Sequence, residues 1–312
     1  MKTLIYLLAA SSDSIFHDWC SSVGIETPAA RLVTTPESVA GRGVFATEDV
    51  EEGDTVIRIP HDTLLHEYNA AVILPEVTKK HKKTRRRYSR RQSRLLRPFG
   101  KKYEFAEPSD LWQAEFTQYC LSSLESNNFW APWIQQWQRD DPMQRLFERN
   151  VSPDDENSII KCIAEIKKDL LPNEDPLKIR AAVDIRLRRL AELKELYGLA
   201  DSDSSMYGTV ISRAIDLGDG TLAVIPMFDM VNHSMNPNLN LSIDFEHEML
   251  DMKATRPIKK GEEMFVSYHD EENQDNEFGS LWSAVQWGIP EAALQIPEPQ
   301  IASAQIREPQ TA

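Results

Sequence analysis

Cysteine is scarce in this 312-residue chain: its three cysteines, Cys20, Cys120 and Cys162, lie far apart and form no Cys-x-x-Cys pair. That leaves no support for a disulfide framework or a cysteine zinc site, and it fits a reducing compartment. Long apolar runs are missing too, and nothing approaches the roughly 20 residues needed to span a bilayer, which argues against an integral membrane protein. No cluster of metal-ligand side chains stands out, so no metal is expected. There is no repeat and no collagen-like period, and 41% apolar composition suits a globular protein of one large or two smaller domains. At the N-terminus, Met1-Lys2 precedes about eight mostly apolar residues and a small-residue exit at Ser11, so residues 1–15 read as a targeting segment or as a leading helix.

Acidic residues are absent from one stretch where basic ones crowd. Formal net charge is −14, yet residues 78–102 hold 13 of the 35 Lys and Arg residues and no Asp or Glu; subtracting those 13 positive charges leaves about −27 for the rest of the chain. The run Lys79-Lys80-His81-Lys82-Lys83-Thr84-Arg85-Arg86-Arg87, continuing to Lys101-Lys102, has three readings: a solvated and partly disordered loop, a nuclear-localisation element, or a docking patch for an acidic partner. Its aromatics, Tyr88, Phe99 and the adjacent Tyr103, are too sparse to stack single-stranded nucleic acid.

What is present divides by periodicity. Phe16 to Val23 has helical apolar spacing, and Arg31-Leu32-Val33, Gly43-Val44-Phe45-Ala46 and Thr55 to Ile59 read as short strands with glycine corners. From Leu64 to about Leu199 the period is helical, clearest in Ile159, Ile163, Ile166, Leu170 and in Ile179, Val183, Leu187, Leu190, with Pro172 and Pro176 between them. Trp112, Trp130, Trp133 and Trp137 read as core residues of this helical block. Strand patterning resumes over Val210 to Ile215 and returns through Thr221 to Ile225 as a hairpin. The Pro-, Gln-, Ala- and Glu-rich residues 291–312 have little to bury and read as a disordered tail.

Four segments carry chemistry: Gly41-Arg42-Gly43-Val44-Phe45-Ala46, Ser212-Arg213, Pro226 to Ser234 running into Asn-His-Ser-x-x-Pro-Asn (Asn232 to Asn238), and Gly261-Glu262-Glu263 leading to Phe265-Val266-Ser267-Tyr268. Taken singly each has a plain reading: a tight turn, a strand-end charge pairing with Asp216 or Asp229, a satisfied turn histidine, a core aromatic. Together and in this order they resemble the SET-domain lysine methyltransferases. The similarity is greatest to the Rubisco large-subunit methyltransferase-like branch, whose SET domain carries a long helical insertion.

The resemblance implies an α+β fold, a SET-domain β fold of short strands with a large α-helical insertion. It divides the chain into an N-terminal SET portion at 16–65, an insertion at 66–205 and a C-terminal SET portion at 206–290. It implies S-adenosyl-L-methionine as methyl donor and a protein lysine side chain as acceptor; separately, the chain is expected to be a monomer located in nucleus or cytoplasm. By the same resemblance Ala40, Gly41, Arg42, Arg213, Asp229, Asn232, His233 and Phe278 sit against the cofactor, with Arg213 suited to its carboxylate. Phe228, Asp229 and Trp287 border the substrate, and Tyr268 aligns the transfer. The pattern departs after Tyr268, where His269 stands in place of a common glycine, and Asp275 to Phe278 and Trp287-Gly288-Ile289 replace the usual segments. A histidine acceptor and a non-catalytic interaction module are the alternatives.

Overall fold

The computed structural model describes residues 13–35, 38, 41–95, 111–137, 155–217, 221–244, 246–268, 281, 284 and 285. Two compact units divide them: one holds the residues up to Leu64 and those from Ile225 to Tyr268, and the other holds Leu65–Val224 with Leu281, Ala284 and Val285.

The first unit opens with a helix over residues 13–22, where Phe16, Trp19 and Cys20 are buried at i, i+3 and i+4. Polar groups tie it to the strand that follows: the Thr34 N–H and hydroxyl donate to Asp13 at 3.1 and 3.0 Å. Strands β1 (Ala30–Thr34) and β2 (Arg42–Ala46) form an antiparallel pair from Ala30 opposite Ala46 to Thr34 opposite Arg42. Two further strands, β6 (Asn232–His233) and β9 (Glu263–Val266), complete a sheet of order β1-β2-β9-β6, in which only the β6–β9 pairing is parallel. A second sheet is antiparallel throughout, with β8 (Met249–Ala254) between β3 (Thr55–Pro60) and β7 (Leu239–Asp244). Register slips between Thr55 and Ile57, which lets the consecutive Val56 and Ile57 both be buried. With Leu32, Val44, Ile59, Leu250, Met252 and Met264 they form an aliphatic core, each side chain worth about 1.5–3 kcal/mol of burial.

The second unit is helical, as the 3.6-residue period predicts. Asp155 caps the helix Glu156–Asp169 by accepting the Ser158 N–H, and Asp175 caps Pro176–Tyr197 by accepting the Leu177 N–H. Ile159, Ile163, Ile166, Ile179, Val183 and Leu187 share one buried cluster with Leu281, Ala284 and Val285. A second cluster joins Leu111, Ala114, Leu190, Leu193 and Tyr197 to Tyr207 and Ile211. Trp130, Trp133 and Trp137 are fully buried, as expected of core residues, and Trp112 packs partly buried on the second cluster. Among the described residues no helix is long and apolar enough to cross a membrane.

Two expectations change. Val210 to Arg213 is not strand: it is the last turn of a helix, Ser204–Arg213, and only Ala214–Asp216 (β4) pairs in the hairpin with Leu222–Val224 (β5). Met206, Tyr207, Val210 and Ile211 are buried at helical spacing, so packing outweighs the β-branched character of Val210 and Ile211. By compactness the helical unit runs from Leu65 to Val224, and Leu281, Ala284 and Val285 pack in one cluster with Ile159, Ile163 and Ile166. Finally, the basic run is no loop up to Leu95, because the helix Pro75–Leu95 carries it.

Candidate active site

Three of the four motif segments meet in the first unit, together with the loop before β2. The loop turns back at Gly41, whose φ of +76° belongs to the left-handed region that glycine tolerates, and it is closed by the Thr35 N–H on the Gly41 carbonyl at 3.0 Å. Space around the Gly41 α-carbon is open on the side where a Cβ would stand. Gly43 is the opposite case: a Cβ there would lie 2.1 Å from Glu263 Oε1 and 3.0 Å from Ser38 Oγ.

The Glu263 carboxylate thus occupies the room that Gly43 leaves. It accepts from the Ser38 hydroxyl at 2.9 Å and from the Asn232 amide at 2.6 Å. The Asn232 amide also donates to the Arg42 carbonyl at 2.8 Å and to Ser38 Oγ at 3.1 Å. All three partners accept, which assigns the amide orientation. Charge-assisted bonds of this kind are about twice as strong as neutral ones, and here they join loop, β6 and β9.

Asn238, at the far end of Asn-His-Ser-x-x-Pro-Asn, does the same at backbone level. Fully buried, it donates from its amide to the Glu263 carbonyl at 3.0 Å and accepts the Phe265 N–H on Oδ1 at 2.7 Å. The side chain therefore acts as an extra rung beside β9, and both asparagines of the motif clamp the Gly-Glu-Glu strand. Parallel pairing sets Asn232 beside Phe265 and His233 beside Val266, and the Ser234 N–H reaches the Val266 carbonyl at 3.0 Å.

Tyr268 stands where these segments end. Its backbone N–H donates to His233 Nδ1 at 3.0 Å, so that nitrogen is the acceptor and the neutral ring carries its hydrogen on Nε2. Its hydroxyl donates to the Val231 carbonyl at 2.6 Å, and its ring lies 5.3 Å from that of His233. The phenol is half-buried and fixed at both ends. Phe228 and Asp229 are buried in the short 3₁₀ turn Phe228–Met230 that leads to Val231. Met227 enters that turn at φ +66°, a strained conformation for a side chain with a Cβ. Burial, with the Asp229 charge second, pushes the Cys20 thiol well above its usual range, so Asp229 faces the interior near Cys20.

Of the residues named from sequence, Gly41, Arg42, Asn232, His233, Tyr268, Phe228 and Asp229 all belong to this unit. Arg213 belongs to the other, where it ends a helix with its guanidinium 5.7 Å from the centre of the Trp137 ring. Ala40, Phe278 and Trp287 lie outside the described residues, as does His269. Ser38 and the Val231 carbonyl were not foreseen and carry no sequence signal; Glu263 and Asn238 stood in the motifs without an assigned role.

Comparison with known proteins gives relatives and fold neighbours. N-lysine methyltransferase setd6 of Salmo salar is 24% identical over 266 residues, covering 81% of this chain and 53% of the relative. N-lysine methyltransferase SETD6 of Rattus norvegicus is 25% identical over 263 residues, covering 82% and 51%. The chain thus spans about half the length of these relatives. In fold it is similar to the SET domain of LSMT bound to methyllysine and AdoHcy, with a TM-score of 0.51, 15% identity, and coverage of 90% of this chain and 57% of that one. Rubisco LSMT bound to AdoMet gives a TM-score of 0.50 at 14% identity, with coverage of 90% and 56%. The family model for the SET domain matches residues 41–269, well over half of the chain and inclusive of Gly41, Asn232, Asn238, Glu263 and Tyr268, so this chain belongs to the SET-domain family.

Proposed function

We propose that this chain is an S-adenosylmethionine-dependent protein-lysine N-methyltransferase. The observation that carries the reading is the Tyr268 phenol, held on the Val231 carbonyl at 2.6 Å at the end of the strand that the two motif asparagines clamp. The activity named for the curated relatives points the same way.

The residues fit the cofactor. Gly41 offers backbone with no Cβ in the way and open space beside it, while His233 and the strand ends around it supply polar groups. Arg213, assigned by sequence resemblance, has the fork geometry that suits a carboxylate. When bound, S-adenosylmethionine supplies a methyl group on a positively charged sulfur. The chain's own task is to align, since displacement in line gains most from positioning and from fixed dipoles. Tyr268 meets that need without becoming a nucleophile: its proton is committed to Val231, so its oxygen accepts from an incoming amine beside the neighbouring carbonyl. Phe228 and Met230 are buried in the turn that leads to buried Val231, whose carbonyl holds the phenol, and low-dielectric surroundings favour the neutral amine over the ammonium, whose ordinary pKa is about 10.4.

The test separates binding from transfer. Calorimetry should show S-adenosylmethionine binding to the wild-type chain and to Tyr268→Phe alike, while transfer of labelled methyl to protein in cell extract falls about a hundredfold or more in the variant. A folded wild-type chain that binds no cofactor would overturn the proposal, as would a Tyr268→Phe variant with full transfer.

A further inference from the structure

The helix Pro75–Leu95 has an arrangement for which methyl transfer has no use. Its inward face is polar where an apolar stripe is usual: Thr78 and His81 are buried and Arg85 is half-buried, at the i, i+3, i+7 spacing of one side of a helix. Specific partners hold that face. His81 Nε2 lies 2.7 Å from Gln118 Oε1, and the Gln118 amide donates to the Tyr197 carbonyl at 2.8 Å. Arg85 donates through Nε to Glu115 at 2.6 Å, through a second nitrogen to the other Glu115 oxygen, and through its third to Glu67 at 3.1 Å. Glu115 is only 1% exposed and also accepts the Tyr197 hydroxyl at 2.6 Å. A two-point guanidinium–carboxylate bond fixes rotation about the helix axis in a way that apolar contact does not.

The fixed rotation turns the other face to solvent. Lys79, Lys82, Lys83, Arg86 and Arg87 recur there at i, i+3, i+4, i+7 and i+8, flanked by Lys80, and all six are exposed. Among the described residues Glu76 alone pairs with one of them, Lys79, at 2.6 Å. The stripe from Lys79 to Arg87 is about 12 Å long at 1.5 Å per residue.

We propose that this face docks an acidic segment of a partner protein. An extended peptide rises about 3.3 Å per residue, so roughly four residues match the stripe. A short acidic segment keeps its charge there. A long polyanion such as a nucleic acid runs past the stripe and meets a chain whose residues outside 78–102 sum to about −27, and that repulsion acts over a Debye length of about 8–10 Å. The proposal is independent of methyl transfer, and its test reads binding alone.

Fluorescence anisotropy of a labelled octaglutamate peptide, an octaglutamine peptide and a 20-nucleotide DNA strand, each titrated with the full chain, decides it. Octaglutamate should bind, weaken on raising salt from 50 to 300 mM, and bind about tenfold more weakly to Lys82→Glu/Arg86→Glu, with unchanged affinity for the surface control Lys161→Glu. Both sites are exposed, so melting temperatures should match wild type; if the reversal variant misfolds, Lys82→Ala/Arg86→Ala gives the same reading with a smaller loss. Equal binding of octaglutamine, no binding of octaglutamate, or full affinity in the stripe variants overturns the proposal. DNA bound more tightly than octaglutamate overturns it in favour of a nucleic-acid surface.

Discussion

The close approach of Glu263 to Gly43 makes a quantitative prediction. In Gly43→Ala the new methyl would stand 2.1 Å from Glu263 Oε1 and 2.8 Å from its Cδ, distances at which the carboxylate must move. Moving it weakens two charge-assisted hydrogen bonds, from Ser38 and Asn232, each worth about 1.5–3 kcal/mol. Crowding a packed site adds about 1–3 kcal/mol, and the stiffer unfolded chain returns about 0.4–1 kcal/mol. Partial relaxation leaves a net loss of about 3 kcal/mol. Gly41→Ala is the control in the same loop: its φ of +76° costs about 1–2 kcal/mol for a residue with a Cβ, but no neighbour among the described residues lies within 4 Å. Urea unfolding followed by circular dichroism should therefore rank Gly43→Ala about 1–2 kcal/mol below Gly41→Ala. In a Glu263→Ala background the Gly43→Ala loss should shrink by at least about 1.5 kcal/mol, a coupling that a double-mutant cycle isolates. Equal losses at the two glycines, or an unchanged Gly43→Ala loss without the carboxylate, would refute the reasoning.

Other outcomes follow from the helical unit and the thiols. Arg85→Ala leaves Glu115 buried with two hydrogen bonds fewer; because Arg85 itself is 38% exposed, the loss should be about 2–3 kcal/mol rather than the full cost of a buried pair, while Arg180→Ala, whose Glu156 partner is exposed, barely moves the urea midpoint. Burial holds His81 below its usual 6.5, against the Gln118 bond and the Glu115 charge, with Arg85 and Lys80 adding to the lowering. Its Nε2–H serves Gln118, and Nδ1 is buried with no acceptor among the described residues, so the unfolded chain takes up a proton near pH 6.5 that the folded chain refuses. Stability should therefore fall as pH is lowered from 7.5 through 6.5 towards the folded pKa, and the fall should be smaller in His81→Gln; equal falls in urea midpoint between pH 7.5 and 5.5 would sink this assignment. Cys20, Cys120 and Cys162 are all buried, so a chromogenic disulfide reagent should label the native chain slowly and label three thiols at once in denaturant; rapid native labelling of any of them would contradict the packing.

Much of the fold was legible because period and burial agree. Ile159, Ile163 and Ile166 repeat at helical spacing and are buried, and the strands from Ala30 to Pro60 follow their apolar residues and turns. Legibility failed where the two signals part. Val210 and Ile211 are β-branched and adjacent, a pattern that suits strand, yet they lie in a helix, and Ile211 joins a buried cluster with Leu111, Ala114 and Tyr207 that sequence does not reveal. The helix Pro75–Leu95 hides for a different reason: its buried face is Thr78, His81 and Arg85, and no apolar period marks a stripe held by Glu115 and Gln118.

The site was legible as a set of residue types and not as a network. Its members lie up to 225 positions apart, as Ser38 and Glu263 do, and sequence does not say which polar group spends its bonds on which. Missing Cβ atoms in Gly-x-Gly read as room for a ligand; Gly41 keeps that room, whereas Gly43 gives it to Glu263. Asn232 reads as a cofactor ligand, yet its amide donates to Ser38, Arg42 and Glu263, so it also holds the loop against β9. Asn232→Ala would therefore loosen the frame along with any ligand contact, and lost cofactor binding in that variant would not separate the two. Tyr268 is the better probe. Its hydroxyl donates to a backbone carbonyl at the end of the clamped strand, its backbone anchor on His233 survives in phenylalanine, and its removal leaves the Ser38–Asn232–Glu263 network in place. A loss of transfer at constant cofactor affinity in Tyr268→Phe thus reports on alignment at the reacting atoms, because the groups that hold the site together are not the ones changed.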